Sequence, residues 1–249
     1  MTRPPLEQDW ETIGRYGPFC LTFTLDVTPQ NLLERYGADP ATAHPVAFAE
    51  TGPVLDPRPD QCILATGTLG EWAFCFETLG VEGIMSATLA ALSHGTQSVA
   101  VNNDANAMHY LTHWADGQPQ EEFEPGAPST LRAAGPHPFW DATERHRALH
   151  PDQRNVVAAL RAAGDHIGGR LTVRTLTAPL LTTVLTVPRS RPPSPAAPLP
   201  LVHPPQSTSK LGRRLAALDP LDADPTPTTL HSRVDLSGPG LPRTDREGS

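Results

Sequence analysis

Residues 19–27, FCLTFTLDV, alternate without a break: Phe19, Leu21, Phe23 and Leu25 fall on one side of an extended chain, and Cys20, Thr22, Thr24 and Asp26 on the other. A period of two over that length specifies a half-buried β-strand, because a helix would repeat its apolar positions about every 3.6 residues. Such a strand must bury its apolar side against neighbours, so the rest of the chain has to supply a sheet and something to cover it. Directly after it, Thr28 is placed as a helix N-cap with Pro29 at the first helical position, and Gly37 closes the short helix TPQNLLERYG.

Further strands follow. Residues 61–69 and 71–78 read as a hairpin around Gly70, with Trp72, Phe74 and Phe76 on one face of the second strand. Residues 84–94 have helical spacing and stop at Gly95. Segments 98–103, 106–115 and 119–125 then form an antiparallel meander, joined by the turns Asn103-Asp104-Ala105 and Asp116-Gly117. The patterned region 62–125 as a whole reads as one β-meander. A proline-rich connector is expected over 125–138 and a helix from about Asp152 to Ile167, where Val156, Val157, Leu160 and Ala163 make an apolar stripe ended by Gly168-Gly169. Residues 171–187 are ambiguous: β-branched content favours strand, helix is the alternative, and Pro179 interrupts either. The fold class is therefore α+β: a mainly antiparallel sheet of about six to seven strands with two to three packed helices.

Proline sets the limits of that domain. Of 29 prolines, 13 lie in residues 188–249, a segment too poor in large apolar side chains to offset the entropy of ordering it. The expected organisation is a single domain over 1–187, best defined over 17–125, followed by a disordered tail. Within the tail Leu211, Leu215 and Leu218 share one helical stripe, which predicts a short helix over 209–219 suited to docking on a protein. The tail has 8 Lys/Arg and 6 Asp/Glu; the body before it has 11 and 21, so the body carries −10 and the tail +2. An acidic body repels phosphate backbones, which argues against nucleic acid as a partner. No run reaches the roughly 18 apolar residues of a membrane helix, and the N-terminal stretch has acids where a leader would have its apolar core. Three scattered cysteines, Cys20, Cys62 and Cys75, fit a reducing cytoplasm.

The block from Gly70 to Pro125 reads GEWAFCFETLG, a helix ending LSHGT, then SVAVNNDANAMHYLTHWADG and EEFEP. Together with FCLTF and the TPQNLLERYGAD helix before it, this resembles a domain family of unknown function from high-GC, actinobacterial-type bacteria. Trp72, Gly95-Thr96, Asn103, Asn106-Ala107, Asp116-Gly117 and Phe123-Glu124-Pro125 carry the resemblance. It covers residues 9–125 well and 150–180 faintly. What it implies is one fold and an order of elements, with helix over 171–187; it brings no activity and no catalytic residues.

Chemistry has few footholds. Asn102, Asn103, Asp104 and Asn106 crowd one turn, where short amides and carboxylates could hold a ligand but also serve the turn itself. His109 and His113 share a strand face, yet at strand rise they stand about 13 Å apart, so each needs separate partners to bind anything. His146 and His150 have an i, i+4 metal spacing that Pro151 disfavours, and the glutamate of a metalloprotease helix is missing. There is no nucleophile elbow, Walker loop or dinucleotide fingerprint. Cys75 sits opposite the aromatics as a structural thiol. The expectation is a non-catalytic protein-binding or regulatory domain without cofactor or metal. Trp72, Asn103, Asp104, Asn106, His109 and His113 are the candidate binding residues, and the sheet face or the tail (Leu211, Leu215, Leu218) is the contact. A small metal-dependent or other hydrolase using Asp104, His109, His113 or the His146/His150 pair is one alternative. A small-molecule sensor with a pocket beneath Trp72, Phe74 and Phe76 is the other.

Overall fold

The alternating segment at residues 19–25 occupies the middle of the sheet. In a computed structural model of the chain it forms β1 (Phe19–Leu25), hydrogen-bonded on one side to β4 (Trp72–Thr78) and on the other to β5 (Gln97–Asn103). The structure describes residues 8–187, apart from 16, 48, 49 and 107, and also Leu199. The expected tail helix and its leucine stripe lie outside the described residues.

Nine strands form one sheet in the order β2-β9-β3-β4-β1-β5-β6-β7-β8, and every neighbouring pair is antiparallel. The remaining strands are β2 (His44–Val46), β3 (Gln61–Leu69), β6 (His109–Ala115), β7 (Gln118–Glu124), β8 (Ala127–Ala133) and β9 (Leu180–Thr186). The α+β class holds, while the strand count exceeds the six to seven expected. Two strands account for the excess. β8 lies inside the supposed connector 125–138, where Pro128 at the sheet's edge needs no ladder hydrogen bond. β2 is three residues long and gives no periodic signal. Nor do residues 62–125 form one meander: β1 lies between β4 and β5 and separates the β3–β4 hairpin from the run β5 to β8. A strand pattern fixes which side chains face inward and leaves the choice of neighbour to the tertiary fold.

Helices cover both faces. On the first, Phe19, Leu21, Phe23, Phe74, Phe76, Val99, Val101, Leu111 and Phe123 pack beneath α6 (Asn155–Ile167), which inserts Val156, Ala159, Leu160 and Ala163. α1 (Gln8–Ile13) adds Trp10 and Ile13, and α5 (Pro138–Leu149) adds Phe139. Each fully buried Leu or Phe contributes about 1.5–3 kcal/mol, so this layer dominates stability. Gly164 lets the chain pack closely here: a Cβ there would stand 2.9 Å from the Gly169 carbonyl oxygen and 3.2 Å from the Trp10 ring.

On the second face Leu64, Ala73, Cys75, Ala100 and Trp114 meet Leu32, Leu33 and Tyr36 of α2 (Pro29–Tyr36), and Leu89 and Leu92 of α4 (Ser86–Leu92). α2 starts and stops as its sequence requires: Thr28 Oγ1 accepts the Asn31 N–H at 3.1 Å, and Gly37 takes φ +86°. The Asp116-Gly117 hairpin is likewise a turn with two positive φ values, +50° and +75°. The ambiguous stretch 171–187 proves to be both elements. α7 (Val173–Thr177), capped by Thr172, precedes β9, and Pro179 marks the break. The short α3 (Thr51–Leu55) and the whole of α5 add to the two or three helices expected.

Candidate functional site

Asp104 is committed to its own turn. Its Oδ1 accepts the N–H groups of Asn106 and Met108, both at 2.8 Å, and the Asp104 N–H donates to the Met108 carbonyl oxygen at 3.0 Å. Asn103, on the strand side of the turn, donates from Nδ2 to the Gly17 carbonyl at 3.2 Å and accepts Arg154, the residue just before α6, at 3.3 Å. His109 pairs with Asn103 in the β5–β6 register. Its imidazole is held below its ordinary pKa, first by burial and then by Arg154. Asn103 and His109 thus share one end of the first sheet face with Arg154.

Trp72 and His113 belong to a different group. His113 pairs with Val99 in register, two residues from Gln97, and its Nε2 lies 3.2 Å from Gln97 Oε1. His166, near the end of α6, places its own Nε2 3.2 Å from the same oxygen. The two imidazoles have centroids 5.8 Å apart, Phe139 lies 5.0 Å from one and 4.6 Å from the other, and Trp72 meets His166 edge-on at 5.7 Å. Burial lowers the pKa of His113 to about 4, with His166 adding to the effect, and burial lowers that of His166 too. Beside His113 across the strands stands Glu121, whose carboxylate accepts the N–H groups of Phe139 and Trp140 at the start of α5.

The remaining histidine pair is not assembled for an ion. α5 ends at Leu149, so His150 stands past the helix at φ −135°, while His146 Nε2 is 2.8 Å from Asp165 Oδ2. Among the described residues no three His, Cys, Asp or Glu side chains come together as a metal site. Trp72, Phe74 and Phe76 lie in the packed layer under α6. Cys20, Cys62 and Cys75 are buried free thiols, and burial raises the pKa of all three, with Glu77 raising them further.

An open concavity exists on the second face. There α2 lies over β3 and β4 and α4 over β5 and β6. From the edge of α4 across β6, β7 and β8 a trough of about 370 Å³ opens, lined by Leu89, Tyr110, Thr112, Trp114, Glu122 and Arg132 among others. Trp114 donates its indole N–H to Thr112 Oγ1 at 2.9 Å, so the wall satisfies its own buried donor. Glu122 and Arg132, cross-strand partners 3.5 Å apart, leave 43% of each side chain exposed. β8 then ends the sheet, paired only with β7 among the described residues. The trough therefore joins an apolar floor, one charge of each sign and an edge of main-chain hydrogen-bonding groups.

None of the trough's polar residues was a candidate from sequence. Alternation in β6 places Tyr110, Thr112 and Trp114 on one face, but only the extent of α4 reveals that this face is bare. His166 and Gln97 were missed as well, because 69 residues separate them and no local spacing links them. The model of a family of unknown function (DUF6461) matches residues 8–164 of the chain. No curated protein and no solved structure matches it.

Proposed function

The chain belongs to that family of unknown function, and we propose that its folded part, residues 1–187, is a non-catalytic protein-binding domain whose contact surface is the trough over β6, β7 and β8. The trough's position carries the proposal: a concavity with an aromatic and aliphatic floor opens beside a sheet edge. An extended segment of a partner protein could add to β8 through main-chain hydrogen bonds and lower an apolar side chain toward Leu89 and Trp114. Its volume, about 370 Å³, accommodates one or two such side chains. Glu122 and Arg132 supply orientation, since a partner with its charges reversed would meet like signs.

The buried titratable groups support a binding role over a catalytic one, because the best buried of them are engaged structurally. Both oxygens of Glu77 and both of Glu121 receive backbone N–H groups. Buried free thiols suit a reducing compartment, which supports the cytoplasm as the site of action. The slightly basic segment 188–249, with Leu211, Leu215 and Leu218, offers a second surface of opposite charge to the body.

Selection of displayed random peptides on the full-length protein tests the trough. Enriched peptides should carry alternating apolar residues and bind at least tenfold more weakly to Ser129→Trp, which puts a bulky ring at an exposed position of the trough lining. Arg132→Glu should weaken them as well. Failure to enrich any sequence, or equal binding to the wild type and Ser129→Trp, overturns the proposal.

A further inference from the structure

His113 cannot share an ion with His109, its neighbour on the same face of the strand. The fold supplies other partners from α6 and β5. Two imidazole Nε2 atoms, one from β6 and one from α6, stand at the same 3.2 Å from a single amide oxygen at the start of β5. We propose that His113, His166 and Gln97 form a binding site for one divalent transition-metal ion of the zinc, nickel and copper class, with water completing the coordination.

Donor spacing is the first argument. Ligand bonds of 2.0–2.1 Å in a tetrahedral site place neighbouring donor atoms about 3.3 Å apart. The two nitrogen-to-oxygen edges here are both 3.2 Å.

Preorganisation is the second. Phe139 packs against both imidazoles, with centroids at 5.0 Å and 4.6 Å, and Trp72 closes on the edge of His166 at 5.7 Å. Rings held in this way lose little freedom on binding. His166 is exposed, so an ion can enter from solvent.

Donor chemistry is the third. Two imidazole nitrogens and one neutral amide oxygen favour borderline transition metals over calcium or magnesium, which seek carboxylates. The absence of a carboxylate from the donor set also fits an ion held for structure or at a contact.

Titration of the tag-free full-length protein with Zn²⁺ by calorimetry tests the site. One saturable equivalent is expected in the wild type. His166→Ala should weaken it at least tenfold and Gln97→Leu should weaken it too, whereas His94→Ala, at an exposed histidine elsewhere, should not. His166 is an exposed residue of α6, and an unchanged thermal midpoint of His166→Ala checks that the fold is kept. In a ¹⁵N spectrum, substoichiometric Cu²⁺ should broaden the Trp72 indole resonance before those of the other three tryptophans. Non-saturable binding in the wild type, undiminished binding by His166→Ala, or broadening that spares Trp72 each overturns the proposal.

Discussion

Glu121 on β7 accepts the backbone N–H of Trp140 at 2.6 Å, so a strand side chain performs the N-terminal cap of helix α5. Its other oxygen takes the Phe139 N–H at 3.1 Å. The helix's own N-cap, His137, makes no side-chain cap bond. This carboxylate anchors α5, and with it Phe139, over the first sheet face. Removing it in Glu121→Ala leaves two helix N–H groups without partners and should cost about 2 kcal/mol. Urea unfolding gives the measurement.

The same group makes stability depend on pH in an uncommon direction. Burial raises the Glu121 pKa from 4.5 to about 7, outweighing the two N–H donors that lower it. A carboxyl with a higher pKa folded than unfolded holds more protons in the folded state between those values. Its contribution to stability is therefore greatest below about pH 4.5 and falls as pH rises toward 7. The full effect is on the order of 3 kcal/mol. Glu121→Gln removes the titrating group, so, whatever constant cost its NH2 group adds beside one helix N–H, the variant's stability relative to the wild type should rise as pH goes from about 5 to 8. A difference independent of pH would refute the shift. Glu77, also raised to about 7 by burial, should show the same sign.

Gly83→Ala should destabilise the fold by about 1–3 kcal/mol through overpacking. An added Cβ would lie 2.6 Å from Tyr36 Oη, 2.7 Å from Cys20 Sγ and 2.8 Å from Thr22 Cγ2. The Gly83 N–H also donates to Glu77 Oε2 at 2.8 Å, so a shift of the backbone would strain that bond as well. A lowered midpoint in thermal unfolding checks this; an unchanged midpoint would mean the loop yields freely.

All three thiols should resist a disulfide reagent in the native protein and react together on unfolding. Burial raises each pKa above the usual thiol value, leaving little thiolate to attack. Rapid labelling of any of them without denaturant would contradict the packing around Glu77.

Asp104→Ala should cost about 1 kcal/mol by releasing the Asn106 and Met108 N–H groups, both in exposed surroundings. Because Asp104 serves the turn, the variant should retain any metal or peptide binding of the wild type. Loss of either would reassign it as a ligand-contacting residue.

Local signals in the sequence were strong wherever a short stretch decides its own conformation. Phe19–Leu25 could only be a strand, although the Cys20, Thr22 and Thr24 side expected to face solvent is buried too because helices cover both faces of the sheet; Thr28, Pro29 and Gly37 bounded α2, and Asp116-Gly117 formed the turn expected of it. Each depends on side-chain periodicity or on backbone angles within a few residues. β8 and α5 escaped because nothing local distinguishes APSTLRA from a polar connector, and α5 draws its cap from Glu121, 17 residues before its first residue.

What the sequence determined by itself was the class: a sheet of alternating strands with covering helices and an acidic body ahead of a proline-rich segment. Those properties follow from period, propensity and charge, which are additive along the chain. Only the tertiary structure decided that β1 separates β4 from β5, that His113 finds its partners in Gln97 and His166, and that α4 stops short of β7 and β8 to leave a trough. These depend on which surfaces meet. Pairings between distant residues are chosen by the burial and geometry of the whole core, and the spacing along the chain carries no record of them.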